Sequence, residues 1–283
     1  MTADLLPDFL IIGRPKCGST SVARWLAEQP DICFCSVKEP RFFHQDDAWE
    51  LGLDWYRSLF AHAQPGQLLG EATVGYTNPH VAQRTAGRIA EVLPAARLIY
   101  LVRDPIERIR SEFRHRRSFR TEPSETLLGA LDRPDSDYAA RTRYFDCLAP
   151  YIARFPREQI LVVRMEDITG LGEVGWHAVL GHLGLTERPR PGERFNVSAE
   201  RGLQARTSRQ LLDRLIRSEV RVRLPMGVRR LGRRVTWRRG ARFRRMLEAS
   251  EAQIPASRLA PVWEDIARLE DWLGVSEPLW PRG

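Results

Sequence analysis

The chain has 283 residues, 43% of them apolar and 28% charged, with a net charge of +8. That length can bury a large core, and the composition is that of a globular protein, which excludes disordered and collagen-like classes. No stretch approaches the ~18 consecutive apolar residues of a membrane helix, and Met1 to Pro7 lacks the basic start and apolar run of a signal peptide.

Phe9 to Ile12 is an apolar run that predicts a buried strand. A turn punctuated by Gly13, Pro15 and Gly18 follows, and Ser21–Glu28 then predicts a helix with Val22, Trp25 and Leu26 on one face. Strand, glycine loop and helix N-terminus make an anion cradle, because loop N–H groups and the positive end of the helix converge on a phosphate. Gly13 and Gly18 keep the spacing of a Walker A loop, and Thr20 stands at its Ser/Thr position. Ser19, however, occupies the place of the Walker lysine, and the lysine lies inside the loop as Lys16. This departure counts against a P-loop kinase or NTPase.

Further along, Ile32–Phe34 and Leu68–Glu71 predict strands, and Asp54–Leu59 and Ala82–Val92 predict helices. Arg97–Val102 reads as a buried strand ending in Arg103-Asp104-Pro105, and Ile106–Arg117 as the helix after it. Pro105 suits the first turn of that helix and Asp104 its N-cap. Arg103 stands at the strand's carboxyl end and Ser111 two turns into the helix. A planar, permanently charged guanidinium suits a phosphate dianion, although Arg103 could also pair with Asp104 or Glu107. Tyr144–Phe155 and Val174–Leu183 predict helices around a strand at Gln159–Arg164. Val262–Leu273 predicts an amphipathic helix, with Trp263, Trp272 and Trp280 anchoring the C-terminus to the core. Alternating strands and helices predict an α/β fold with a mostly parallel central sheet flanked by helices, and ligands at the carboxyl ends of its strands. No linker divides the chain before about residue 190. One domain over 1–283 is expected, with a core at about 8–200 and a basic helical C-terminal segment at about 205–283.

The loop Pro15-Lys16-Cys17-Gly18-Ser19-Thr20 after a strand, together with Arg103-Asp104-Pro105 and Ser111 after a later one, resembles the sulfotransferases that use 3′-phosphoadenosine-5′-phosphosulfate (PAPS). The resemblance implies a P-loop-like sulfotransferase fold and transfer of a sulfuryl group to an acceptor hydroxyl, leaving PAP. It implies that Arg14, Pro15, Lys16, Cys17, Gly18, Ser19 and Thr20 hold the 5′-phosphosulfate, and that Arg103 and Ser111 hold the 3′-phosphate. In relatives a downstream basic loop covers the 3′-phosphate, a role the resemblance assigns here to Arg201 or Arg206. Lys38-Glu39-Pro40-Arg41-Phe42-Phe43 is similar to a segment of glycosaminoglycan-type and bacterial sulfotransferases whose glutamate is the general base. On that basis Glu39 and Lys16 are the expected catalytic residues. His44, Glu71 and His115 stay open as alternative bases, and an ion pair of Glu39 with Lys38 or Arg41 as its structural alternative. No metal is expected, since the loop cations take that role. Two departures count against a heparan substrate. Ala72 replaces the lysine that the heparan sulfate enzymes carry after the glutamate matching Glu71, and Arg41 stands where the 3-O group has His. The acceptor expected is a carbohydrate, lipid or natural-product hydroxyl. Golgi relatives carry an N-terminal anchor, so a cytoplasmic, bacterial enzyme is expected.

Cys17, Cys33, Cys35 and Cys147 lack zinc-knuckle spacing and read as reduced thiols. Arg221 to Arg245 holds eleven arginines and no acidic residue, so this segment supplies the whole positive balance of the chain. Three readings of it stand open: an acid-paired solvated helix, a peripheral contact with anionic membrane, and guidance of an acidic acceptor or PAPS. No helix-turn-helix, zinc-finger or RNA-recognition signature accompanies it, so no nucleic-acid partner is expected.

Overall fold

In the computed structural model, which describes residues 5–170, 173–192 and 254–282, five strands form one sheet. They are β1 (Phe9–Ile11), β2 (Ile32–Phe34), β3 (Leu68–Ala72), β4 (Arg97–Val102) and β5 (Ile160–Arg164). The order is β2-β3-β1-β4-β5, and every pairing is parallel. All three residues of β1 are buried, as are all of β4 after Arg97. Such continuous apolar runs mark strands covered on both faces. Phe9 pairs with Gly70 across β1 and β3. A Cβ on Gly70 would lie 2.0 Å from the Phe9 ring, so glycine is needed where the ring crosses the neighbouring strand.

The helices are α1 (Ser19–Ala27), α2 (Asp46–Glu50), α3 (Gly52–Ser58), α4 (Ala82–Val92), α5 (Pro105–Ser118), α6 (Leu127–Leu131), α7 (Tyr144–Ile152), α8 (Met165–Thr169), α9 (Val174–His182) and α10 (Ala256–Leu273). The α/β class and the helical C-terminal part are as the sequence pattern predicts. Helices α2, α6 and α8 escape a periodicity search because five residues do not complete two turns. Helix α10 begins six residues before Val262, running through Pro261, whose ring stands on the exposed side. Arg201, Arg206 and the segment 221–245 lie outside the described residues, as does the helix expected there. Among the described residues no helix is long and apolar enough to cross a membrane.

Packing joins the distant C-terminal helix to the sheet. Val262, Ile266 and Leu269 of α10 enter the main core with Trp280. Asp265, on the same face, is buried and accepts the backbone N–H groups of Phe145 at 2.8 Å and Asp146 at 3.0 Å. It therefore caps α7 from another helix, satisfying donors that no residue of α7 can reach. Trp272 lies under the Arg157 guanidinium, 4.2 Å from its centroid. On the other side of the sheet, Trp25 of α1 meets Trp176 of α9 edge-on at 6.3 Å.

Strand order also decides where a ligand can lie. From β1 the chain turns to one side, toward β2, whereas from β4 it turns to the other, toward β5. Connections that diverge in this way leave a crevice beyond the carboxyl ends of the two adjacent strands.

Candidate active site

Both phosphate motifs emerge at that crevice. Beyond Ile11, Ile12 N–H donates to Ile99 O at 3.0 Å and Arg14 N–H to Leu101 O at 3.4 Å, so the loop leaves β1 while held against β4. Gly13 is required by this approach, because a Cβ there would lie 2.7 Å from Leu101 Cβ. The loop then turns through Lys16 (φ 73°) and Gly18 (φ 85°) into α1. Gly18 is the N-cap of α1, no side chain among the described residues caps this helix, and no acidic residue stands in its first turn. A Cβ on Gly18 would also strike the Met165 side chain, 2.1 Å from its Sδ. The chain thus leaves a helix N-terminus without a carboxylate of its own, a donor set that fits a phosphate or sulfate.

The Arg-Asp-Pro turn approaches from β4. Asp104 Oδ1 accepts Glu107 N–H at 2.8 Å, the N-cap that the sequence predicts. Arg103 donates to Lys16 O at 3.4 Å and to Glu107 Oε2 at 3.5 Å, so it spans both loops. Its own carbonyl accepts the Tyr144 hydroxyl at 2.7 Å. Lys16 is half-buried. Burial lowers its pKa, Glu112 raises it, and Arg103 and Arg114 lower it again. Ser111 is buried on the α5 face.

Two loop residues are engaged in holding the cradle together. Arg14 is fully buried and donates to the Thr77 and Arg141 carbonyls. Cys17 is fully buried against the Tyr144 hydroxyl, and burial pushes its thiol up to about 11. Arg108, not singled out by the sequence, is also fully buried and donates to Thr142 Oγ1, Tyr138 O and Pro15 O. An arginine in contact with the loop in space but 93 residues away in sequence leaves no local signature of that role. Pro15 accepts through its carbonyl, while Ser19 and Thr20 border a cleft on the other flank of α1.

Glu39 lines the same cleft, which has a volume of about 590 Å³. It sits in the turn after β2 in the left-handed region (φ 53°), as does Arg41 (φ 60°). Non-glycine residues pay a conformational cost there, so the surrounding packing must impose it. Phe42 and Phe43 do this. They are buried, with Phe42 stacked on Tyr56 at 4.4 Å and Phe43 edge-on to Tyr76 at 5.7 Å. The aromatic pair is core packing that fixes the glutamate at the cleft.

The other candidate bases lie elsewhere. Glu71, at the end of β3, has no solvent exposure. Burial pushes its carboxyl up to about 8, against the opposing influence of Tyr76, Tyr56 and Thr73, with Glu39 adding a smaller upward push. Its Oε1 has no hydrogen-bond partner among the described residues. The His44 ring packs edge-on to Tyr76 at 5.5 Å, and burial, Arg41 and Arg84 lower its pKa. His115 is on α5 against Phe119. Of the carboxylates and these two histidines, Glu39 is the one lining the cleft.

A family profile described as a sulfotransferase domain matches residues 6–171, more than half of the chain. The chain belongs to the sulfotransferase family. The matched span contains the sheet, both of the motifs expected to hold phosphate, and Glu39. The chain is 32% identical over 170 residues to mouse heparan sulfate glucosamine 3-O-sulfotransferase 3B1, covering 58% of this chain and 42% of that protein. It is 32% identical over 206 residues to human heparan sulfate glucosamine 3-O-sulfotransferase 6, covering 69% and 57%. The chain therefore spans about half the length of the curated relatives it matches. A sulfotransferase structure from Alicyclobacillus acidocaldarius superposes with a TM-score of 0.64 at 20% identity, over 96% of this chain and 97% of that one, and shows the same fold.

Proposed function

We propose that the protein transfers the sulfuryl group of PAPS to an acceptor hydroxyl by in-line displacement, with Glu39 as general base. One observation carries this reading: Arg103 reaches Lys16 O across the crevice while Glu39 shares a cleft with Ser19 and Thr20 at the uncapped start of α1. An anion cradle and a carboxylate thus flank the same helix terminus.

When bound, PAPS supplies the sulfuryl group and leaves as PAP. Loop residues 15–20 and the α1 amides would hold its 5′-phosphosulfate, and Arg103 with Ser111 its 3′-phosphate. Glu39 takes the hydroxyl proton as the new O–S bond forms. Lys16 and the α1 amides stabilise the charge that collects on the 5′-phosphate oxygen as the old S–O bond breaks. Positioning and fixed charge do most of the work, as in phosphoryl transfer.

The test is a calorimetric titration with PAP, 5′-AMP and ATP in the absence of magnesium. Tight PAP binding with much weaker AMP and ATP binding supports the reading. Magnesium-dependent ATP binding would revive a nucleotide kinase. Glu39→Gln is expected to lower turnover by about 10²–10⁴-fold, the usual contribution of a general base, with PAP affinity retained. Loss of PAP binding in that variant would make Glu39 structural.

A further inference from the structure

The cleft beside Glu39 has a shape and a polarity that specify an acceptor. One wall is the outer face of α1, where Ala23 and Ala27 stand four residues apart on the same side. The other is β2, at the edge of the sheet, with Ile32, Phe34 and then Val37. Small side chains on the helix and, among the described residues, an edge strand without a further neighbour leave this space open. Glu39, Ser19 and Ala72 mark the end of the cleft at the strand carboxyl termini, and Gln64 and Gln67 the opposite end. The eight helical steps from Ser19 to Ala27 make it about 12 Å long.

At the far end the side chains of Gln64, Gln67 and His62 each bond to the protein's own backbone. Gln67 Nε2 donates to Pro30 O at 2.8 Å, and its Oε1 accepts Gln64 N–H at 2.9 Å. Gln64 Nε2 donates to His62 O at 3.3 Å, and His62 Nε2 lies 3.2 Å from Phe34 O. Ala23, Ala27, Ile32, Phe34 and Val37 give the walls an apolar share that a hydrocarbon body covers better than a sugar ring does. Among the described residues lining the cleft, the permanent cations are Arg24 and Lys38, both exposed, and position 72 next to the carboxylate is alanine. A polyanionic glycan needs cations along its length.

We propose that the acceptor is a small, apolar-bodied alcohol lying along the β2–α1 cleft, its hydroxyl at Glu39 and its tail toward Gln64 and Gln67. The volume is that of sites for drug-sized ligands. This inference rests on the sulfuryl-transfer reading of the same site.

The experiment measures transfer of radiolabelled sulfate from PAPS to 1-butanol, 1-octanol, 1-decanol and a heparan sulfate hexasaccharide, alongside PAP titration. KM is expected to fall by up to about fourfold per added methylene until the cleft is filled, and the hexasaccharide to be a poor acceptor. Ala27→Trp fills the far half from an exposed helix position. It is expected to raise KM for 1-decanol at least tenfold more than KM for 1-butanol, with PAP affinity and the melting temperature measured as controls for the cofactor site and the fold. Preference for the hexasaccharide, a KM flat across the alcohols, or no transfer to any alcohol while PAP binds would overturn the inference. Failure to bind PAP would strike the parent reading instead.

Discussion

Glu71→Gln isolates a carboxyl near the end of β3 that burial forces out of its ordinary range. Its pKa is raised from 4.5 to about 8 in the folded chain. Between those values the unfolded chain has released the proton that the folded chain retains, so stability falls as pH rises. The stabilisation is fully present below pH 4.5 and is lost as pH passes through about 8. Asp265, raised to about 6, contributes mainly at lower pH, so the window from pH 6.5 to 8 belongs chiefly to Glu71. Over that window the loss is about 1.5 kcal/mol at roughly 1.4 kcal/mol per pH unit, reduced as the group begins to titrate. In a domain of this size that corresponds to roughly 3–6 °C in Tm. Glutamine cannot ionise, so the variant should lack this slope, though its amide meets the same unpartnered surroundings as Oε1 and costs about 1–2 kcal/mol at every pH. Thermal unfolding of both proteins at pH 6.5, 7.25 and 8 provides the measurement. The difference between their slopes removes histidine contributions common to both. Parallel pH profiles would refute the assignment of a neutral, buried Glu71.

Three other perturbations address the cradle and its support. Gly18→Ala forces an L-residue into the left-handed region at a cost of about 1–2 kcal/mol and drives Met165 aside; calorimetry should show weaker PAP binding, and Met165→Ala in the same chain should restore part of it. Arg103→Ala should weaken PAP far more than 5′-AMP in a paired titration, and equal weakening would mean that Arg103 only braces the Lys16 loop. Asp265→Ala strands the Phe145 and Asp146 amides; urea unfolding should register a loss of about 2–4 kcal/mol, which Asp265→Asn should partly recover.

The sheet was legible because its central strands β1 and β4 are continuous apolar runs, with Gly13 and Pro105 just beyond their exits. The loop after β1 was legible for a related reason: Gly13 and Gly18 answer to steric demands that other residues cannot meet. Glu39 came from resemblance, and the structure supplies the physical basis for its motif, since Phe42 and Phe43 are the buried anchors that hold a strained turn. What was not legible depends on contacts between distant segments. Arg14 is expected at the cofactor and Arg108 has no local signature, and only the structure shows that both are buried and bonded to backbone carbonyls. Nothing local to Met165 predicts that it occupies the space left by Gly18. The openness of the acceptor cleft likewise follows from β2 being an edge strand, a property of sheet order and not of any residue in it.

The cap that Asp265 places on α7 has a consequence for how the protein is made. Helix α7 carries Tyr144 and Tyr151, whose hydroxyls hold Arg103 O and Tyr76 O at the ends of β4 and β3. The family match ends at residue 171, but the carboxylate that completes α7 arrives almost a hundred residues later. During synthesis the sheet and both phosphate loops leave the ribosome long before that carboxylate does. The nascent chain must therefore wait with the first turn of α7 unfinished, and a polypeptide cut at the family boundary would keep every expected catalytic residue yet lack the group that completes the helix behind them.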